Sequence, residues 1–180
     1  MMQGELRQPS LPIVRQRSHR HLALAVIGTV FLLDQVSKGW VLTQFTAIPR
    51  VIELTSFCNI LLTWNYGMSF GFFNHASIHI SYALLIVSLI VIFLLIIWSS
   101  FVDIPHIKLS IHFIIGGASG NALDRLRHYS VIDFVDLHIF SWHWPAFNMA
   151  DLAITIGAIV LMSDALFVRP DSNTLLERYF

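Results

Sequence analysis

Four long apolar runs, parted by shorter polar stretches, set the plan of this chain. They lie near His21–Leu42, Ser77–Phe101, Lys108–Arg125 and Phe147–Val168. A helix needs about 20 residues to cross the ~30 Å hydrocarbon core of a bilayer, and each run meets or comes near that length. The second is the cleanest: residues 76–102 contain no Asp, Glu, Lys or Arg. The other three each carry at least one acid. The pattern predicts an all-α integral membrane protein with four transmembrane helices. It also predicts a membrane domain over 21–168, a flexible basic tail over 1–20 and a short tail over 169–180. No internal repeat is visible. Between the third and fourth runs, the stretch SVIDFVDLHIF (130–140) is β-branched and aromatic, which favours an extended segment. In a strand Asp133 and Asp136 face opposite sides, and in a helix the same side. Periodicity alone does not choose which of them reaches a site.

Composition agrees with a membrane setting. The chain has 180 residues, 56% of them hydrophobic and 12% charged, where a soluble domain carries about 25% charged residues. The formal net charge is zero, so no global field favours nucleic acid. The single cysteine, Cys58, has no intramolecular disulfide partner and reads as a small buried apolar residue. The first run follows a basic segment as a signal peptide does. However, DQVSK follows it without a small-x-small cleavage site, so it is expected to stay as a span. Arg7, Arg15, Arg17 and Arg20 precede the first run, Lys108 is expected in the loop between the second and third, and Arg169 and Arg178 follow the fourth. That asymmetry places both termini on the cytoplasmic side. Trp40, Trp64, Trp142 and Trp144 fall at the opposite face, as an aromatic belt would.

Charged residues inside spans are costly and usually face a protein interior or a cavity. Counting about 1.5 Å per residue, Asp34 lies about 20 Å from the cytoplasmic end of its span and Asp124 about 24 Å from that of its own. Asp151 lies about 6 Å inside the outer end of the fourth span. Three spans thus bring acids to a similar depth. Faces agree too: Asp34 and Lys38 are four apart, Asn121, Asp124 and Arg125 share a side, and Asn148 and Asp151 are three apart in a first helical turn. Pro145 suits that helix start. Gly116 and Gly120 form a small-xxx-small stripe for close packing. Asp34–Lys38 and Asp124–Arg125 also read as mutually neutralising structural pairs. Asp133 and Asp151 have no basic residue at helical spacing.

Two carboxylates close together share one proton, so that one takes a proton from water while the other polarises a carbonyl. Other chemistries are less well served. Cys58 has no base motif beside it. The nine histidines include His75–x3–His79 and His138–x4–His143 but no HExxH. IIGGASGN lacks the phosphate-loop spacing. A proton-coupled transporter would use intramembrane acids, yet these cluster at one face, and in the cytoplasmic half Asp164 is almost alone and reads as snorkelling to the interface. A non-catalytic membrane scaffold remains the blandest reading.

The blocks DQVSK, NYGMSFG, GGASGNALDR, VIDF and PAFNMAD, in this order over about residues 22–168, resemble the lipoprotein signal peptidase (signal peptidase II) family. The resemblance implies an aspartyl endopeptidase of the bacterial inner membrane with its site near the periplasmic face. Such an enzyme cuts prolipoproteins immediately before a diacylglyceryl-modified cysteine. It implies Asp133 and Asp151 as the catalytic dyad, which demotes Asp136. Asn65, Gly67, Phe70, Asn121, Arg125 and Asn148 line the site, with Asp34, Lys38 and Asp124 in support. By the same resemblance, about Ile48–Phe73 is expected to correspond to the family's small periplasmic β-structured element and its mobile lid-like segment. Glycines on the third span let the signal-peptide helix approach. No metal or cofactor is implied, the partners are prolipoproteins and membrane phospholipid, and a monomer is expected. Ser69 and Ser130 depart from residues common in the family, and the N-terminal tail is longer; none touches the dyad.

Overall fold

The computed structural model describes residues 14–45, 51–67 and 78–167. Four helices and four strands follow in the order α1 (Val14–Phe45), β1 (Ile52–Thr55), β2 (Cys58–Asn65), α2 (Ile78–Phe101), α3 (Pro105–His128), β3 (Val131–Ile139), β4 (Trp142–His143) and α4 (Met149–Phe167). Residues 21–45 of α1, all of α2 and all of α4 are long and apolar enough to cross a membrane. The α2 helix shows most of its surface, including Ile86, Phe93 and Leu94, as a lipid-facing helix must. The charge-bearing α3 is the hub: α1, α2 and α4 all pack against it.

Small residues make those contacts close. A Cβ on Gly116 would press on Val30 and the Ile27 carbonyl of α1, and one on Gly117 would reach the Ala150 carbonyl of α4. A Cβ on Gly120 would collide with the Asp34 carboxylate. The glycines of α3 are therefore covered by the chain's own α1 and α4, and they are not a bed for a substrate helix. Gly120→Ala is expected to force α1 and α3 apart and cost about 1–3 kcal/mol, read as a lowered unfolding midpoint in detergent.

The helix α3 opens on Pro105, whose missing N–H suits a first turn. It closes with Arg125, Arg127 and His128 in its last turn, where cations meet the negative end of the dipole. Tyr129 then turns the chain in a left-handed conformation (φ 57°) and its N–H caps the Arg125 carbonyl at 3.1 Å. Lys108 lies inside α3, not in the preceding loop. Asp164 is not snorkelling: it is 6% exposed and receives His106 Nε2 at 2.9 Å, because α4 packs its inner face on the start of α3. The α1 helix begins at Val14, ahead of the expected entry at His21.

The strands form one antiparallel sheet in the order β1-β2-β3-β4. In the central pair Asn65 stands opposite Val131, Thr63 opposite Asp133 and Asn59 opposite Asp136. Residues 51–67 thus supply half of the expected β element. The other half comes from the extended 130–140 segment and from β4, which adds Trp142–His143. The lid-like segment, with Ser69 and Phe70, lies outside the described residues. Two apolar clusters hold the molecule. Val41, Phe45, Ile60 and Phe134 join the end of α1 to the sheet. Val102, Ile107, Ile111 and Ile115 fill the opposite end of the bundle. A polar layer lies between them.

Candidate active site

The polar layer draws on all three described stretches of the chain. In α1, the four-residue spacing brings Lys38 Nζ to Asp34 Oδ2 at 2.8 Å. The same ammonium also reaches Asp124 Oδ2 at 2.7 Å and Asn121 Oδ1 at 3.0 Å on α3, so its three donors are all used. Asp124 is therefore neutralised by Lys38 from α1. Arg125 instead points one N–H at the Asn121 carbonyl, 3.4 Å away. Gln35 Nε2 ties the layer together, donating to Asp34 Oδ2 at 3.1 Å and Asp124 Oδ1 at 3.0 Å. Asp34 also accepts the Ala150 N–H at 2.9 Å and Asp124 the Ile132 N–H at 3.3 Å. These bonds lock the starts of α4 and β3 to α1 and α3. Asp34, Lys38 and Asp124 are each nearly fully buried, which only such pairing permits.

From this base the layer presents two further carboxylates. Asn148 precedes α4 and forms a reciprocal cap with Asp151. Its Oδ1 accepts the Asp151 N–H at 2.9 Å, and its own N–H donates to Asp151 Oδ2 at 3.2 Å. The cap fixes the Asp151 side chain, and Asn121 Nδ2 holds its other oxygen at 2.8 Å. Asn148 Nδ2 then reaches Asp133 Oδ1 at 2.7 Å. The other Asp133 oxygen accepts Asn65 Nδ2 at 2.8 Å. That amide is oriented by the Gly67 N–H, which donates to Asn65 Oδ1 at 2.9 Å. Gly67 adopts φ 110°, a conformation that other residues rarely take, and a Cβ there would strike Leu84. Through its bond to Asn65, Gly67 orients the Asn65 amide.

Asp133 is 2% exposed, whereas Asp151 is half-buried. Asp151 opens on a cavity of about 550 Å³ whose wall includes Asn65, Leu137, Trp144, Phe147, Leu152 and Thr155. The floor is polar and the walls are largely apolar, a pairing that suits a substrate with a polar bond and greasy flanks. Burial pushes the Asp133 carboxyl up to about 6; the Asn65 amide opposes this, the neighbouring Asp151 adds to it, and the Asn148 amide opposes it again.

The sign of the resulting pH dependence follows from proton counting. An unfolded aspartate loses its proton at about 3.9, so between about pH 4 and pH 6 the folded protein binds the extra proton. The Asp133 contribution to stability is complete below about pH 4 and is lost as pH rises through about 6. The difference in unfolding midpoint between the protein and Asp133→Asn, followed over that window, should shift steadily in favour of Asp133→Asn. A flat difference would contradict it.

Asp136 points the other way, as strand geometry requires. It accepts Asn59 Nδ2 at 3.0 Å and His143 Nδ1 at 2.9 Å, and the His143 ring stacks on His138 at 5.0 Å. Burial alone would raise Asp136, but His143 and Asn59 outweigh it and hold the group below the ordinary carboxylate range. Among the described residues no cluster of three or more His, Cys, Asp or Glu could hold a metal ion. Sequence reasoning missed Gln35, whose only signal is its place beside Asp34. It also missed the Asn59–Asp136–His143 cluster, of which Asp136 and the His138–His143 spacing were visible but not their pairing.

Known proteins carry the same plan. The family profile for signal peptidase (SPase) II matches residues 26–167. The lipoprotein signal peptidase of Anaplasma phagocytophilum (strain HZ) is 38% identical over 84% of this chain and 96% of its own length. Those of Cellvibrio japonicus (strain Ueda107) and Burkholderia multivorans (strain ATCC 17616 / 249) are 41% and 43% identical, over 81% and 79% of this chain and 85% and 86% of their own lengths. A bacterial membrane enzyme solved by the in meso method superposes with a TM-score of 0.71 at 27% identity, covering 83% of this chain and 95% of that one.

Proposed function

Because the chain belongs to the signal peptidase II family, a family of membrane-embedded lipoprotein signal peptidases, we propose that Asp133 and Asp151 are the groups that activate water in its active site. The protein is a protease, and its substrates are prolipoproteins. The observation that carries the dyad is Asn148, which donates to Asp133 Oδ1 through its side chain and to Asp151 Oδ2 through its backbone. One asparagine thus holds both carboxylates, Asp151 on the cavity wall and Asp133 buried. The two share a proton that belongs to the pair. The ionised member takes a proton from water as the oxygen attacks the scissile carbonyl carbon. The protonated member gives its proton to the carbonyl oxygen. Collapse of the tetrahedral intermediate breaks the C–N bond. The departing amine takes up the proton that came from water, and one hydroxyl of the gem-diol returns its proton to the other carboxylate, which restores the shared proton. Asn121 and Asn65 hold the outer oxygens, and Arg125 lies on the same side of α3 as a cation for the substrate backbone.

We read α3 as the fourth span. Its 24 residues reach about 36 Å, more than the hydrocarbon core requires, and its charges are shielded by three neighbours. An even number of spans puts both termini on one side, and the arginine placement favours the cytoplasm. The dyad then lies near the outer, periplasmic face of the inner membrane, at the level where a diacylglyceryl cysteine would present its peptide bond. The apolar cavity wall suits the acyl chains and the residues flanking the cut, made immediately before that cysteine. We take the working unit to be a monomer. Purified protein in detergent should shorten a diacylglyceryl-modified precursor on a gel and leave the unmodified precursor intact. Equal cleavage of both would overturn the lipid requirement.

Asn148 offers a separable check. Asn148→Ala should lose the α4 cap, about 1 kcal/mol, and lower kcat/KM about 10²-fold through misplacement of both carboxylates. Asn148→Ser restores a cap but cannot hold Asp133. Its unfolding midpoint should therefore recover while its kcat/KM does not.

A further inference from the structure

A second cavity, of about 100 Å³, opens at the end of the bundle opposite the dyad, between Leu22 of α1 and the first two turns of α3. Its wall is made by Asp103, Pro105, Lys108, Leu109 and His112. His112 is 5% exposed, faces this cavity, and has no hydrogen-bond partner among the described residues. Its ring nitrogens are open to the cavity, where a ligand can bond them. Lys108 stands one turn earlier on the same face and has no ion-pair partner among the described residues. The start of α3 is also bare: Ile104 at the cap position supplies no side-chain hydrogen bond to the first N–H groups. An ammonium, an imidazole and an uncapped helix start thus converge on one small cavity, and each of them favours an anion.

The surroundings say which anion. Leu22 and Leu109, at 59% and 43% exposure, continue the cavity onto the apolar flank of the bundle. By helix rise, Lys108 lies about 5 Å and His112 about 10 Å from the start of α3, the depth at which headgroup gives way to acyl chain. Asp103 is exposed at the rim, where a negative group would repel a simple anion but accept hydrogen bonds from an amine. We propose that this cavity seats a phosphoethanolamine lipid headgroup from the leaflet opposite the active site, with the phosphate on Lys108, His112 and the start of α3, and the amine on Asp103. The assignment rests on α3 being a span with this end in the inner leaflet.

The test is native mass spectrometry of the full-length protein released from nanodiscs containing phosphatidylethanolamine or phosphatidylglycerol, with prolipoprotein cleavage measured on the same preparations. The protein should retain phosphatidylethanolamine in preference to phosphatidylglycerol. Lys108→Gln/His112→Leu should reduce retention about tenfold, the loss expected for one charge-assisted hydrogen bond, with cleavage unchanged. Asp103→Asn should bring phosphatidylethanolamine down to the level of phosphatidylglycerol. Equal retention by the protein and the double variant overturns the site. A rise in unfolding midpoint with millimolar inorganic phosphate that matches the rise with lipid overturns the lipid in favour of a free anion. Should the double variant fail to fold, Lys108→Gln alone, at a half-exposed position, carries the comparison. Loss of cleavage in the unaltered protein would strike the dyad and leave lipid retention to be read on its own.

Discussion

Asp151→Asn and Asp133→Asn should each lower the cleavage rate of a lipidated precursor by about 10³-fold while the protein stays folded in detergent. An amide can neither take a proton from water nor give one to a carbonyl oxygen, so either change removes half of the proton traffic. The two variants should differ in stability. In Asp151→Asn the new side-chain amide would turn its NH2 toward one of two donors, the Asn121 amide or the Asn148 N–H, and lose a bond. Asp133→Asn would lose a bond in the same way, to Asn65 or Asn148, but at neutral pH it also removes a carboxylate whose burial disfavours its charge, so it should cost less stability than Asp151→Asn. Gel-shift rates and unfolding midpoints together check this. Activity within about tenfold of the unaltered protein in either variant would end the dyad assignment.

Lys38→Met should be the most destabilising single change in the polar layer, at about 3–5 kcal/mol. The lysine is 1% exposed and its ammonium is the only cation bonded to both Asp34 and Asp124 among the described residues. Methionine fills the space but leaves two buried carboxylates facing each other across Gln35. Combining Lys38→Met with Asp34→Asn and Asp124→Asn should recover most of the loss, because the cost lies in the uncompensated charge and not in the missing stem. Unfolding free energies of the single and triple variants decide it. A single variant within about 1 kcal/mol of the unaltered protein would show that water already reaches this layer.

Much of this was legible in residue spacing. Four apolar runs became four helices, and the Asp34–Lys38 pair follows from one helical turn. The capping of Asp151 by Asn148 follows from a polar pair three apart at a helix start. The parity of Asp133 and Asp136 in an extended segment meant that only one could face the polar layer, and the strand sends Asp133 there and Asp136 to His143. What spacing could not supply were pairings between distant elements. Helical spacing pairs Lys38 with Asp34 alone; its bond to Asp124 depends on how α1 lies across α3. Asp164 met His106 because α4 doubles back onto the start of α3. The Gly116–Gly120 stripe announced close packing but not its occupant, and α1 takes the place a substrate helix was expected to fill.

The central strand pair carries a consequence for synthesis. Asn65 and Asp133 are bonded across 68 residues of chain. At a translation rate of about 5–20 residues per second, several seconds separate the emergence of the two partners. During that interval the first hairpin must wait with one edge unpaired, until α2 and α3 have been made and β3 arrives. The Asn65–Asp133 pairing is therefore a late acquisition of the nascent chain. A ribosome stalled between Ile78 and His128 would leave an inert intermediate whose exposed strand edge is a natural target for quality-control proteases or chaperones.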